Sequence, residues 1–572
     1  MKFTTNTILR FAAAITLVFT ANRCTNLDEN LYDRITSETF LQTKEDVIRD
    51  FLRSFEHGYW SIQGDGLYFA QELPTDELMT PNRDGDWFDG GLYQRIHYHT
   101  WTDQDNFTNT MWNALYQGIS LATNSLEDIE KIDAANFDLT EAEKNDYIAE
   151  LRTLRAWYHL RAFDLYRYIP IVTKVKGEAF MPDQSTPQEV FNFIEKELLE
   201  SIPNLPTRES LGANAIGRWT KGGAAALLVR LYLNAGVYIG QEKYAECAAT
   251  CEKFIAGEYG SYQIEDRWDA PFDYTNATSG EVVFGFPSSF ARTHWHYNTD
   301  MFGWMAPHQA NKYFDQDGIS YNTRYALQPG RDVDSVEYPF ELGKPFIKLH
   351  RYPDDFRVKL YKNLGNSKRE GMFLHGYLPY FDAKENKIVN LKSNRGYTIF
   401  ARDQVGYFRD TPPGQPLADK VSNMNHADDN SGVWLTKYPI YPTADVNKLA
   451  SAYAEIRYAE IYYSLAECKY RAGDKAAAAV LLNAVRKRNY PEGSTSLYAT
   501  DGSQLTDIEM LDEWGREFIG EGRRRTDLIR WGKFNTGTWW DKEPDADDHT
   551  KIYPIGKNVR NLSPNLKPTP GY

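Results

Sequence analysis

His97 and His99 stand one residue apart, as do His294 and His296. On an extended strand alternate side chains share a face, so either pair could offer two imidazoles to zinc. Neither has the helical H-x-x-x-H partner or downstream acid that would complete a ligand set. Asp84-x-Asp86 opens like a calcium loop, but Phe88 occupies an oxygen-ligand position and the closing glutamate is missing. No phosphate-cradling G-x-x-x-x-G-K-[ST] and no G-x-S-x-G nucleophile elbow occurs. Carboxylate pairs suited to glycoside hydrolysis exist by abundance alone in a chain with 79 acids, and a solvated acidic surface explains them as well. The expectation is a protein without catalysis, metal or cofactor.

The same region suits binding better. Residues 84–101, DGDWFDGGLYQRIHYHTW, crowd aromatic rings, acids and glycines together. The chain holds 14 Trp, 38 Tyr and 30 Phe. A sugar ring presents weakly positive C–H faces to the negative face of an aromatic ring, while neighbouring polar groups fix its hydroxyls. Trp87 is the expected stacking ring, Asp86 and Arg83 the expected orienting groups, and Tyr93 a second ring. A second dense run, THWHYNTDMFGW (293–304), offers Trp295, His296, Tyr297 and Trp304. The ordinary role of any single ring is core packing, but rings in glycine-rich aperiodic segments have less core available. A formal charge of −15 disfavours nucleic acid, which demands clustered Lys and Arg.

The elements that must position these groups are mainly helical. Residues 224–255 and 454–488 each read as a helix ending at Ala-Gly, a short turn and an alanine-rich second helix. Gly236 and Gly473 are placed to cap the first helices in the left-handed conformation. Residues 111–132 and 147–168 form a looser pair, which Pro170 stops. Thr186 and Pro187 open a helix over 186–202, and 507–534 reads as a helix interrupted near Gly520 and Gly522. This is the logic of tetratricopeptide-like hairpins stacked in a solenoid. Between about 264 and 448 periodicity vanishes, leaving a large irregular insert with short strands such as 281–286; aperiodic segments of such length are usually functional. Cys247 and Cys251, one helical turn apart, read as small buried hydrophobes. Arg523-Arg524-Arg525 read as structural ion pairs with Glu517, Glu521 and Asp527.

At the N-terminus Lys2 and Arg10 flank the short apolar run 11–21, an export signal too short to span a bilayer, and Cys24 follows as the expected lipidation site. Arg23 stands where such signals usually carry a small residue.

ELPTDE (72–77), LRTLRAWYHLRAFDLYRYIPIV (151–172), GRWTKGGAAALLVRLYLNAGVY (217–238), DEWGREFIGEGRRRTDLIRWG (512–532) and the closing YPIGKNVRNLSPNLKPTPGY (553–572) together resemble the SusD/RagB family of outer-membrane nutrient-binding lipoproteins of Bacteroidetes. The resemblance implies a signal over 1–23 and one domain over 24–572, with a ligand loop at about 78–102 and C-terminal helices over 449–572. It implies an oligosaccharide or polysaccharide ligand, a lipid anchor in the outer membrane, and a SusC-like TonB-dependent transporter over which the protein closes as a lid. Trp304, followed eight residues later by Lys312-Tyr313-Phe314, is placed like a sugar-contacting Trp of the starch-binding member. That member's tryptophans directly after Thr-Asp-Glu are absent; 78–82 read Leu-Met-Thr-Pro-Asn. The family's occasional calcium site maps to no residues here. A peptide-capturing relative and a metal- or carboxylate-dependent hydrolase stand as alternatives.

Overall fold

The computed structural model describes residues 41–63, 66–176, 182–289 and 301–572. Cys24, Trp295, His296 and Tyr297 lie outside the described residues.

Long helices follow one another in space as they do in sequence. Lys44–Gln63 packs on Asn106–Lys131, which packs on Glu141–Tyr166, then Pro187–Ser201, Lys221–Leu233, Tyr244–Ile255, Tyr458–Arg471 and Lys475–Arg486. This is the expected tetratricopeptide-like scaffold, in which each helix buries its apolar stripe on its neighbours. Local signals set many of its boundaries. Thr186 caps its helix through a reciprocal bond with Glu189, with Pro187 in the first turn. Glu141–Tyr166 ends where Arg167 turns left-handed (φ 61°), three residues before Pro170. Gly473 is left-handed (φ 86°) between its two helices as expected. Gly236 is not a cap: it lies inside the helical turn Ala235–Ile239, and Gly240 (φ 70°) ends that turn. Cys247, Cys251 and Cys468 are buried free thiols.

Residues 454–457 are not helical. Tyr453–Arg457 forms an antiparallel ladder with Val282–Phe286, and the helix starts at Tyr458. This ladder stitches the insert to the scaffold where it re-enters. The insert otherwise contains short two-stranded ladders, yet it is not coreless. Phe373, Leu374, Ile399, Val433 and Trp434 are buried in the same continuous core as the helices.

The ligand loop is anchored by buried charge. Helix Asp507–Phe518 breaks at Gly520 (φ 69°) and Gly522 (φ 72°) before Arg524–Arg530. The acids of ELPTDE close on that break. Glu72 Oε1 accepts from the Gly522 and Arg523 N–H groups (2.6 and 3.1 Å), and Glu77 Oε2 accepts from Gly520 N–H (3.3 Å). Asp76 takes a two-pronged bond from Arg524 (2.7 and 3.0 Å). Burial would raise the Asp76 carboxyl, but the Arg524 guanidinium outweighs it and holds the group at about 2. Burial pushes Glu77 up to about 7. The arginine triplet is therefore structural, with partners partly different from those expected. Arg523 pairs with Asp527 (2.9 Å), but Arg524 reaches Asp76 and Arg525 reaches Asp164 (3.1 Å). Glu517 and Glu521 instead face Arg457 (3.0 and 2.8 Å), and Glu517 also faces Arg488 (2.6 Å). From Glu77 the chain passes directly into Leu78–Met79, paired antiparallel with Ala326–Leu327 of the insert. The two inserts meet there.

His97 and His99 are spent inside. The helix Leu92–His97 leaves the loop, and His97 Nε2 bonds Asp541 (2.7 Å) while His99 Nδ1 bonds Asp545 (2.8 Å). The two rings thus serve separate carboxylates rather than one shared point.

Two stability predictions follow from these buried groups. Removing one partner from a buried ion pair costs about 3–5 kcal/mol. Arg524→Met and Asp76→Asn should each lower unfolding free energy by about that amount in urea titration, and the double variant should lose less than their sum; strict additivity would show that the pair is not coupled. His159 is fully buried; its Nδ1–H donates to the Arg155 carbonyl (2.8 Å) and its Nε2 accepts from Val172 N–H (3.4 Å). Burial drives its imidazole down to about 3. The unfolded chain takes up that proton first, near pH ~6.5. The stability of neutral His159 is therefore complete above that pH and is lost as pH falls toward the folded value. Between pH ~7.5 and ~5 the wild type should lose about 2 kcal/mol more than His159→Gln; equal losses would mean that His159 is not buried neutral.

Candidate functional site

Arg83, expected to orient hydroxyls, is fully buried instead (0% exposed). Its Nε donates to the Thr323 carbonyl (3.0 Å) and its Nη1 to the carbonyls of Asp428 and Ser431 (2.8 and 2.6 Å). Three backbone oxygens take the Nε and Nη1 protons, so Arg83 is a brace that ties the loop to two parts of the insert. A tight turn follows, closed by reciprocal backbone bonds between Arg83 and Asp86 (both 2.9 Å).

Beyond this brace the backbone is unusual. Asp84 (φ 53°), Gly85 (101°), Trp87 (65°), Asp89 (43°), Gly90 (63°) and Gly91 (81°) all lie in the left-handed region. For the three non-glycine residues this costs on the order of 1–3 kcal/mol each, strain that concentrates at functional sites. A Cβ on Gly85 or Gly90 would meet nothing within 4 Å, so conformation rather than space requires glycine there.

The strain points Trp87 across the loop. Its indole N–H donates to the Asn322 carbonyl (3.0 Å) and the ring is half-buried. Tyr93 meets it edge-on (6.5 Å, 75°) but is only 3% exposed. Tyr93 therefore supports Trp87 and is not a second stacking ring. Trp304, on the turn Phe302–Met305, is also half-buried. Arg324 joins the two tryptophans: its guanidinium carbon lies 5.3 Å from the Trp87 ring centre, 4.8 Å from Trp304, 5.5 Å from Tyr93 and 5.0 Å from Tyr325. Backbone bonds from Arg324 and Tyr325 to the Trp304 carbonyl (2.9 and 3.1 Å) fix this register. The geometry thus brings together one expected ring from each insert.

Asp86 stays at the surface, with 45% of its side chain exposed, and receives Arg395 Nη2 (3.1 Å). A carboxylate has further lone pairs, so this bond leaves room to accept from a hydroxyl. Asp84 is held by Arg409 and, at 3.7 Å, by Arg395. Phe88, next to Trp87, is 47% exposed and is the barest ring of the loop. Phe88 and Arg324 were missed as site residues. Phe88 was read only as a failed calcium ligand, and Arg324 lies in an aperiodic stretch with no motif around it.

The arrangement is an open ledge of rings with flanking charged groups, suited to stacking and orienting a polar ligand. Two clefts lie elsewhere: one of about 430 Å³ near Trp112, Tyr116 and Leu566, and one of about 380 Å³ near Trp268 and Phe356.

The sequence profile of the SusD family matches residues 264–572, and one described as starch-binding and associating with the outer membrane matches residues 63–233. The starch-binding protein SusD of Bacteroides thetaiotaomicron is 24% identical over 537 residues, covering 88% of this chain and 84% of that protein. A SusD-like protein of Bacteroides fragilis superposes with TM-score 0.65 at 19% identity, over 94% of this chain and 98% of that one. A laminarin-binding SusD-like protein superposes with TM-score 0.62 at 20% identity, over 93% and 100%. These structural likenesses establish a shared fold, and the family profile spans more than half of the chain. The chain belongs to the SusD family.

Proposed function

We propose that the protein captures an oligosaccharide or polysaccharide at the outer surface of the cell and delivers it to a SusC-like TonB-dependent transporter, acting as a lid without catalysis. The observation that carries this reading is the convergence of Trp87 and Trp304, from separate inserts, on one partly exposed ledge. Rings in fixed positions bind a sugar face with little ordering cost. Trp87 and Trp304 stack, Phe88 extends the apolar contact, and Asp86 accepts from a hydroxyl. The starch-binding relative and the laminarin-binding fold neighbour support a glycan as the ligand class. Family membership supports the transporter partner and the outer-membrane location, with Cys24 as the acylated anchor. No metal or cofactor takes part in this reading.

Affinity electrophoresis of the full chain in detergent against a polysaccharide panel tests it. Retention by a glycan that is recovered uncleaved is the expected result. Retention by peptides alone would replace the glycan reading with peptide capture, and release of reducing ends would indicate a hydrolase. On the retained glycan, Trp87→Ala should weaken binding by about 1–3 kcal/mol in calorimetry, the loss of a modest hot spot. Unchanged affinity would remove Trp87 from the site.

A further inference from the structure

Arg324 is a cation set among aromatic rings. Its guanidinium lies within 5.5 Å of four ring centres, and no carboxylate of the described residues pairs with it. Ring faces stabilise the positive charge from above and below but cannot accept the N–H bonds, which lie in the guanidinium plane. The buried Nε has no acceptor among the described residues, and the Tyr93 hydroxyl lies within bonding reach of the guanidinium. The other arginines of the loop differ. Arg83 is fully buried and donates to three carbonyls, while Arg395 and Arg409 are committed to Asp84 and Asp86.

The loop's two paired aspartates are therefore already neutralised by partners that do not include Arg324. Asp89 acts on Arg324 electrostatically but makes no ion pair with it. A planar fork held between rings, with no carboxylate of the described residues paired to it, matches a planar or tetrahedral oxyanion better than a neutral hydroxyl, because two parallel charge-assisted bonds form at once. Resting on the glycan-capture reading, we propose that the ligand is an acidic glycan whose carboxylate or sulfate seats on Arg324 while its rings stack on Trp87 and Trp304. Arg324 is then the residue that sets selectivity for charge, and the tryptophans set selectivity for sugar faces.

The test pairs each charged polymer with its neutral counterpart on the same full chain. Polygalacturonate is set beside its carboxyl-reduced form, and a sulfated galactan beside its desulfated form, with affinities from calorimetry. At least one charged polymer should bind about tenfold tighter than its neutral partner, and the preference should shrink as salt rises. The pair that shows the preference identifies the oxyanion. Arg324→Gln should abolish the preference, bringing charged and neutral forms to equal affinity whatever it does to ring positioning, with Arg324→Lys recovering part of it. Equal affinity for charged and neutral forms, or a preference that survives Arg324→Gln, would overturn the acidic-ligand proposal and leave glycan capture standing. Failure of every charged and neutral glycan to bind would overturn both. The wild-type comparison needs no variant, so a folding defect in Arg324→Gln would not shelter the proposal.

Discussion

The bond between Arg524 and Asp76 holds the two ends of the structure together. The residues lie 448 positions apart, and both side chains are buried. Glu72 and Glu77 converge on the same break in the C-terminal helices, so three carboxylates are drawn into one interior. Three acids cannot stay there without compensation. The cation answers Asp76, the buried N–H groups of Gly520, Gly522 and Arg523 partly answer Glu72 and Glu77, and two left-handed glycines free those groups from the helix. Everything downstream takes its position from this point. Glu77 leads straight into the ladder with Ala326–Leu327, and six residues after Glu77, Arg83 fixes the loop to Thr323 and Ser431.

The ledge inherits its rigidity from that chain of supports. Trp87 is held by a bond to Asn322, an edge contact with Tyr93 and the Arg324 guanidinium. Trp304 is held by the same guanidinium and by the backbone of Arg324 and Tyr325. A ring locked on several sides keeps its position when the ligand arrives, so little freedom remains to be lost on binding. The two rings are thus held in place on segments with almost no regular secondary structure.

Helix boundaries were legible wherever a local rule governed them. Thr186 with Pro187, Gly473, and the Gly520–Gly522 break all follow from backbone chemistry within a few residues. Reading failed where distant contacts decided. Residues 454–457 carry a helical pattern, but Val282–Phe286 recruits them, with Tyr453, as a strand. Gly236 follows the same Ala-Gly pattern as Gly473, yet its helix runs on for another turn. At the site, residue type marked Trp87, Asp86 and Trp304 as surface groups, but it could not show that Arg83 and Tyr93 face inward. Their burial depends on carbonyls and rings hundreds of residues away or on the other side of the loop. Arg324 was invisible for the same reason: its meaning comes from four rings that only the fold assembles.

The left-handed run at 84–91 constrains how this protein can change over generations. Most side chains resist that conformation, β-branched ones most of all. Single substitutions at Asp84, Trp87 or Asp89 therefore alter backbone shape as well as contacts, and few stepwise routes cross the loop without loss. The interleaved positions Asp86 and Phe88 are not left-handed, and both side chains reach solvent. Adaptation to a new ligand has two open routes: retuning those permissive neighbours, or exchanging the whole loop as a cassette between the Arg83 brace and the helix Leu92–His97.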